Sequence, residues 1–129
     1  ESEILLVTSG TISGTAREVI KNYHKVSLMK IRMFRPFPYN LVKRLSWRAK
    51  KIAVIDRNIS FGSRGIFAES VRSSLYNAVY RPPIFEFIAG IGGMDVTPQT
   101  ILDIIKFTSE HSCPIRPEPI WQKELEEMK

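Results

Sequence analysis

The 129 residues predict an α/β fold, a three-layer sandwich with a mainly parallel sheet. Three observations carry that expectation. Short apolar runs alternate in strict order with segments of helical spacing. Two of the runs, Ile4-Leu-Leu-Val7 and Ile52-Ala-Val-Ile55, are continuously apolar, as strands covered on both faces are. Glycine and proline clusters punctuate the alternation. Residues 1–111 are expected to form the α/β domain, and residues 112–129 a proline-rich tail packing on that domain or on a partner subunit.

The first strand ends in Thr8-Ser9-Gly10. Ala16, Val19, Ile20 and Tyr23 then recur at i, i+3, i+4 and i+7, one face of a short helix capped by Ser13 or Thr15. The second strand spans 26–34, with Met29, Ile31 and Met33 on one side and Lys30 and Arg32 on the other. Pro36 and Pro38 stop it. A helix over 38–47 presents Leu41, Val42 and Leu45 inward. The third strand runs into Asp56-Arg-Asn58. After a loop with Gly62 and Gly65, a longer helix carries Phe67, Val71, Leu75, Ala78 and Val79 until Arg81-Pro-Pro83 closes it.

The fourth strand, Ile84-Phe-Glu-Phe-Ile-Ala89, delivers the chain to Gly90-Ile-Gly-Gly93. Thr97 is placed to N-cap a helix over 98–110, and Pro98 suits its first position. Ile101, Leu102, Ile104 and Ile105 form its apolar stripe. These strand–helix units are expected to be joined by right-handed crossovers. The tail has three prolines in Cys113-Pro-Ile-Arg-Pro-Glu-Pro119, and Trp121 and Leu125 need a surface to lie on.

Composition narrows the function classes. Forty-three per cent of residues are hydrophobic and 25% charged, the balance of a soluble globular protein. No apolar run reaches the ~20 residues that span a bilayer. The net charge is +6, yet the basic residues are dispersed; only Arg48-Ala-Lys-Lys51 is tight, on a helix-to-strand connection. There is no basic stripe interleaved with aromatics, so neither nucleic acid nor membrane is expected as a partner. Cys113 is alone, which excludes a disulfide framework and a Cys-x-x-Cys metal site and suits a reducing, cytoplasmic setting. The first residue is Glu1, not Met, and the apolar pattern starts at once with Ile4, which reads as a piece excised from a longer polypeptide or a trimmed one.

In an open parallel sheet, ligands bind beyond the carboxyl ends of the strands. Those ends carry Ser9, Gly10, Arg35, Asp56, Arg57, Gly90, Gly92, Gly93 and Asp95, which form a candidate rim for an anion or an interdomain contact. The arginines, Arg64 included, and the glycine turns suit phosphate or carboxylate groups. Alternatively, Arg35 and Arg57 pair with Asp56 or Asp95 and merely lock the loops. No nucleophile–base pair is evident. His24 and His111 fall at helix C-terminal ends, on the side opposite the rim. No catalytic residue and no metal ligand is assigned.

Three motifs occur in order: Arg32-Met-Phe-Arg-Pro-Phe-Pro38; Lys51-Ile-Ala-Val-Ile-Asp-Arg57 with Gly62 and Gly65; and Gly90-Ile-Gly-Gly-Met-Asp-Val-Thr-Pro98. The chain thereby resembles the C-terminal segment of the α subunit of 2-oxoacid:ferredoxin oxidoreductases, the pyruvate synthase group. More remotely it is similar to the C-terminal domain of transketolase and of 2-oxoacid dehydrogenase β chains. There the position of Asp56 commonly holds glutamate and the glycine turn differs.

The resemblance implies a transketolase-C-like fold. It also implies a parent enzyme that decarboxylates a 2-oxoacid oxidatively on thiamine diphosphate. Electrons pass through iron–sulfur clusters to ferredoxin, and acyl-CoA is released. In that family the thiamine diphosphate lies between other domains and the clusters on cysteine-rich segments. This chain has neither the Gly-Asp-Gly signature nor the cysteines. The implied role is a structural and assembly domain that binds none of these cofactors itself. Its partners would be the rest of the α subunit and the other subunits. The alternatives are the equivalent domain of another thiamine enzyme, or a stand-alone module binding an anion such as CoA.

Overall fold

A computed structural model describes residues 2–31, 37–57, 65–91 and 94–128. The elements alternate: β1 (Ser2–Ser9), α1 (Gly10–Ile20), β2 (Val26–Ile31), α2 (Tyr39–Ser46), β3 (Ala49–Asp56), α3 (Ile66–Ser74), β4 (Ile84–Ile88), α4 (Pro98–Glu110), β5 (Ile120–Trp121) and α5 (Gln122–Glu127). The five strands form one sheet in the order β2-β1-β3-β4-β5, and every pairing is parallel. Helices cover both faces, which gives the expected three-layer sandwich.

The strand pattern of period two divides the core. Ile4, Leu6, Ala53, Ile55, Phe85 and Phe87 face α1, α4 and α5, where Ile101, Ile104 and Phe107 meet them. Phe107 stands edge-on to Phe87, with centroids 6.0 Å apart. Leu5, Val7, Ile52 and Val54 face the other way, onto Val42 of α2 and Ala68, Val71 and Leu75 of α3. Burial on both faces is what made β1 and β3 read as unbroken apolar runs.

Several boundaries differ from expectation. Helix α1 starts at Gly10, not near Ser13 or Thr15: Gly10 adopts φ +59, which turns the chain directly from strand into helix. Ser9 holds the N-cap position without a side-chain cap bond. Ser13 is instead buried, its hydroxyl 2.7 Å from that of Thr8. Tyr23 lies beyond the helix and is exposed. In α2 Val42 is buried, but Leu41 faces outward. Helix α3 stops at Ser74; Leu75 remains buried, while Val79 points into solvent. The Tyr80 hydroxyl donates to the Ala49 carbonyl at 2.7 Å and draws this connection across the start of β3.

Lys50 and Lys51 belong to β3 rather than to a connection. The Lys51 ammonium donates to the carbonyls of Thr108, Ser109 and His111 at 2.9, 3.2 and 2.6 Å. It thus caps the negative end of α4. The start of α4 is as the sequence predicts: Thr97 caps it, reciprocally with Thr100, and Pro98 is the first residue. The sequence also places a strand over 26–34, of which the structure describes β2 to Ile31; Arg32 and Met33 lie outside the described residues.

The C-terminal segment joins the sheet. Ile120 and Trp121 pair with Phe87 and Ile88, and Leu125 enters the core on the α1–α4 face. Arg116 pins this segment, donating to both Glu124 carboxylate oxygens at 2.8 and 2.6 Å and to the Pro119 carbonyl at 2.8 Å. A side-chain hydrogen bond from Arg116 holds the Glu124 carboxyl below the usual range.

The crossovers are not all of one hand. Helices α1 and α4 share a face, yet β1 to β2 and β4 to β5 step in opposite directions along the sheet. The first three crossovers therefore share one hand, and β4-α4-β5 has the other. The handedness preference acts through tight strand–helix–strand units. Here the return is long, contains Pro114, Pro117 and Pro119, and ends in a strand of two residues.

Candidate functional site

Connections from β1 and β3 leave in opposite directions, so the crevice at their carboxyl ends is the topological switch point of the sheet. The structure brings Ser9, Gly10, Asp56, Arg57, Gly90 and Asp95 to this edge. Arg35, Gly92, Gly93 and Arg64 lie outside the described residues.

Arg57 sits at the centre. Its guanidinium reaches the Thr11 hydroxyl and the Gly90 carbonyl, both at 3.4 Å, long contacts that leave the exposed group able to take a better partner. Beside it lies a cleft of about 260 Å³ lined by Thr11, Ile12, Thr15, Arg57, Met94, Asp95 and Val96. One cation, two hydroxyls and the first turn of α1 give this cleft a donor-rich wall; Asp95 supplies the opposing charge.

Asp56 does not share that role. It is buried, and its carboxylate turns away from Arg57 to the start of α3, accepting the Phe67 and Ala68 N–H groups at 2.8 and 3.1 Å. Burial pushes its pKa up to about 6; the two N–H groups oppose the rise, and the charges of Glu86 and Glu69 add to it. Of the alternative pairings of Arg35 and Arg57 with Asp56 or Asp95, Arg57 with Asp56 is thereby replaced by a helix cap supplied from a strand end. Gly65 makes the cap possible, because a Cβ there would lie 2.0 Å from Asp56 Oδ2.

The glycine turn is held from an unforeseen direction. Gly90 adopts φ +79. Its N–H donates to Gln122 Oε1 at 2.9 Å, and Gln122 Nε2 donates to the Asp95 carbonyl at 2.7 Å and to Thr100 Oγ1 at 3.4 Å. One buried amide from α5 thus bridges both limbs of the turn. Nothing in the sequence marked Gln122: it stands once, in a charged run, with no periodic partner. The Lys51 cap and the Arg72–Glu86 ion pair between α3 and β4 were equally silent.

The histidines are where the sequence put them. His24 is exposed after α1, and His111 Nδ1 lies 2.8 Å from the Phe107 carbonyl, its ring stacked on Phe107. Among the described residues, no group of three His, Cys, Asp or Glu could hold a metal ion. No helix among them is long and apolar enough to cross a membrane.

Residues 2–101 match the family model of pyruvate:ferredoxin oxidoreductase core domain II. The ketoisovalerate oxidoreductase subunit VorA of Pyrococcus horikoshii is 35% identical over 105 residues, 78% of this chain and 27% of that protein. The pyruvate synthase subunit PorA of Methanothermobacter thermautotrophicus is 36% identical over 112 residues, covering 84% and 28%. PorA of Thermotoga maritima is 34% identical over 105 residues, covering 78% and 27%. The chain therefore spans little more than a quarter of the length of the curated relatives it matches.

Proposed function

The chain belongs to the pyruvate:ferredoxin oxidoreductase core domain II family, and from that premise we propose that it is a non-catalytic assembly domain of a 2-oxoacid:ferredoxin oxidoreductase. The parent reaction is the thiamine-diphosphate-dependent, oxidative decarboxylation of pyruvate or a related 2-oxoacid to acyl-CoA, with ferredoxin as electron acceptor, in the cytoplasm. Residues 1–111 act as the α/β domain and residues 112–129 as a tail that fastens it. The strand-end rim, with Arg57 and Asp95 at its centre, meets the rest of the α subunit.

The observation that carries this reading is how the rim's groups are used. Asp56 is committed to α3, Gly90 and the Asp95 carbonyl to Gln122, and Arg57 rests lightly between Thr11 and Gly90. That is a pre-ordered edge on which, among the described residues, the Arg57 guanidinium is available, an arrangement suited to docking. Iron–sulfur clusters need several thiolate ligands, and Cys113 is the only cysteine; the donor set does not fit them. The test is co-expression of the 129-residue chain with Thermotoga maritima PorA lacking its matching segment. Co-elution is expected, weakened about tenfold by Arg57→Glu. Separate elution, or an unaffected Arg57→Glu chain, contradicts the rim as the contact.

The cleft beside Arg57 favours one further reading, an anion-binding module for CoA or thiamine diphosphate. Calorimetry with each ligand tests it: heats that vanish in Arg57→Ala support it, and no heat in the wild type removes it.

A further inference from the structure

At the edge opposite the rim, before β3 and β4, apolar side chains stand in solvent. Trp47 is 62% exposed, Tyr76 75%, Val79 94% and Tyr80 38%. Three of them are linked: the Trp47 and Tyr80 rings meet edge-on at 5.9 Å, and the guanidinium of Arg81, next to Tyr80, donates to the Tyr76 carbonyl at 3.3 Å. Clustered exposed apolar groups rimmed by polar residues are a mark of interaction sites.

Its charge selects the partner. Arg44 lies one helical turn before Trp47, Arg48 directly after it, and Arg81 adjoins Tyr80. Lys50 follows on β3, 3.5 Å from Glu3, the nearby acidic group. Tryptophan, tyrosine and arginine together are the composition of binding hot spots. The Tyr80 hydroxyl, donating to the Ala49 carbonyl, fixes the ring in its place beside Trp47.

We propose that this aromatic and basic patch is a second docking surface, and that its occupant is an acidic polypeptide segment carrying an apolar or aromatic side chain. Carboxylates pair with Arg44, Arg48 and Arg81 around an apolar centre on Trp47 and Tyr76. This goes beyond the assembly role assigned to the rim, lies at the other end of the sheet, and stands or falls separately from it.

The test is amide and indole NMR of the isotope-labelled chain, titrated with a random copolymer of glutamate and tyrosine. Polylysine and polyuridylate serve as comparison probes. Shifts confined to the Trp47 indole and residues 75–81 are expected, with affinity reduced about tenfold by Trp47→Ala and by Arg81→Glu. Tyr76→Ser provides a third variant at an exposed position, and circular dichroism confirms that each is folded. No shift at Trp47 or Tyr76, or variants that bind like the wild type, overturns the proposal. Tighter binding of polyuridylate to the same residues replaces it with a nucleic-acid surface. Shifts that depend on protein concentration without a probe replace it with self-association. Rim-dependent co-elution is unaffected by any of these outcomes.

Discussion

Asp56 and Gly65 are packed so closely that a Cβ on Gly65 would sit 2.0 Å from Asp56 Oδ2 and 2.5 Å from its carboxyl carbon. Asp56 cannot retreat, because both its oxygens accept N–H groups of α3. Gly65→Ala is therefore expected to destabilise the fold by about 1–3 kcal/mol, the usual cost of overpacking a filled site. Urea unfolding measures it, and a midpoint equal to the wild type would contradict the contact.

The same carboxylate gives stability a pH dependence of definite sign. Its folded pKa, raised to about 6 from 3.8, lies above the unfolded value, so folding favours the protonated form. The contribution is fully present below pH 3.8 and is lost as pH rises through about 6; it amounts to at most about 3 kcal/mol. Asp56→Asn removes this dependence. The difference in unfolding free energy between wild type and variant should then move against the wild type between pH 4 and about 7. A difference that stays flat would show that Asp56 is ionised normally.

Gln122 bridges Gly90, Asp95 and Thr100. Truncation to alanine leaves the Gly90 N–H and the Asp95 carbonyl without that partner, at a cost of about 1–3 kcal/mol. Hydrogen exchange at the Gly90 amide should accelerate, while amides in the middle of β1 stay protected. Uniform acceleration would point to global loosening instead.

Lys51 and Lys50 are neighbours with different expected costs. Lys51→Met removes three carbonyl contacts at the end of α4 and should cost about 1–2 kcal/mol. Lys50→Met loses one long surface pair, worth no more than about 0.5 kcal/mol. Thermal unfolding of the two variants distinguishes a helix cap from general charge.

The layers and the ends of α4 were legible because burial and capping act locally. Two-sided burial made β1 and β3 continuous apolar runs, and Thr97-Pro98 carries its own geometry. What escaped depends on partners remote in sequence. Lys51 meets carbonyls more than fifty residues away, and Gln122 reaches back to Gly90. Val79 kept helical spacing in a segment that Tyr80 had already drawn off the helix. Ser9, Gly10, Asp56, Arg57, Gly90 and Asp95 do share the strand-end edge, but composition could not reveal that Asp56 would turn inward to α3 while Arg57 stayed outside. The opposite hand of the last crossover was hidden for the same reason, since a two-residue β5 leaves almost no strand signal.

The proposed role, support of a 2-oxoacid:ferredoxin oxidoreductase without performance of its chemistry, makes a direct demand on the isolated chain. The direct measurement is ferredoxin reduction by the purified, folded 129-residue chain supplied with pyruvate, thiamine diphosphate and CoA. The rate should be indistinguishable from buffer alone. Turnover that scales with the concentration of the chain would contradict it.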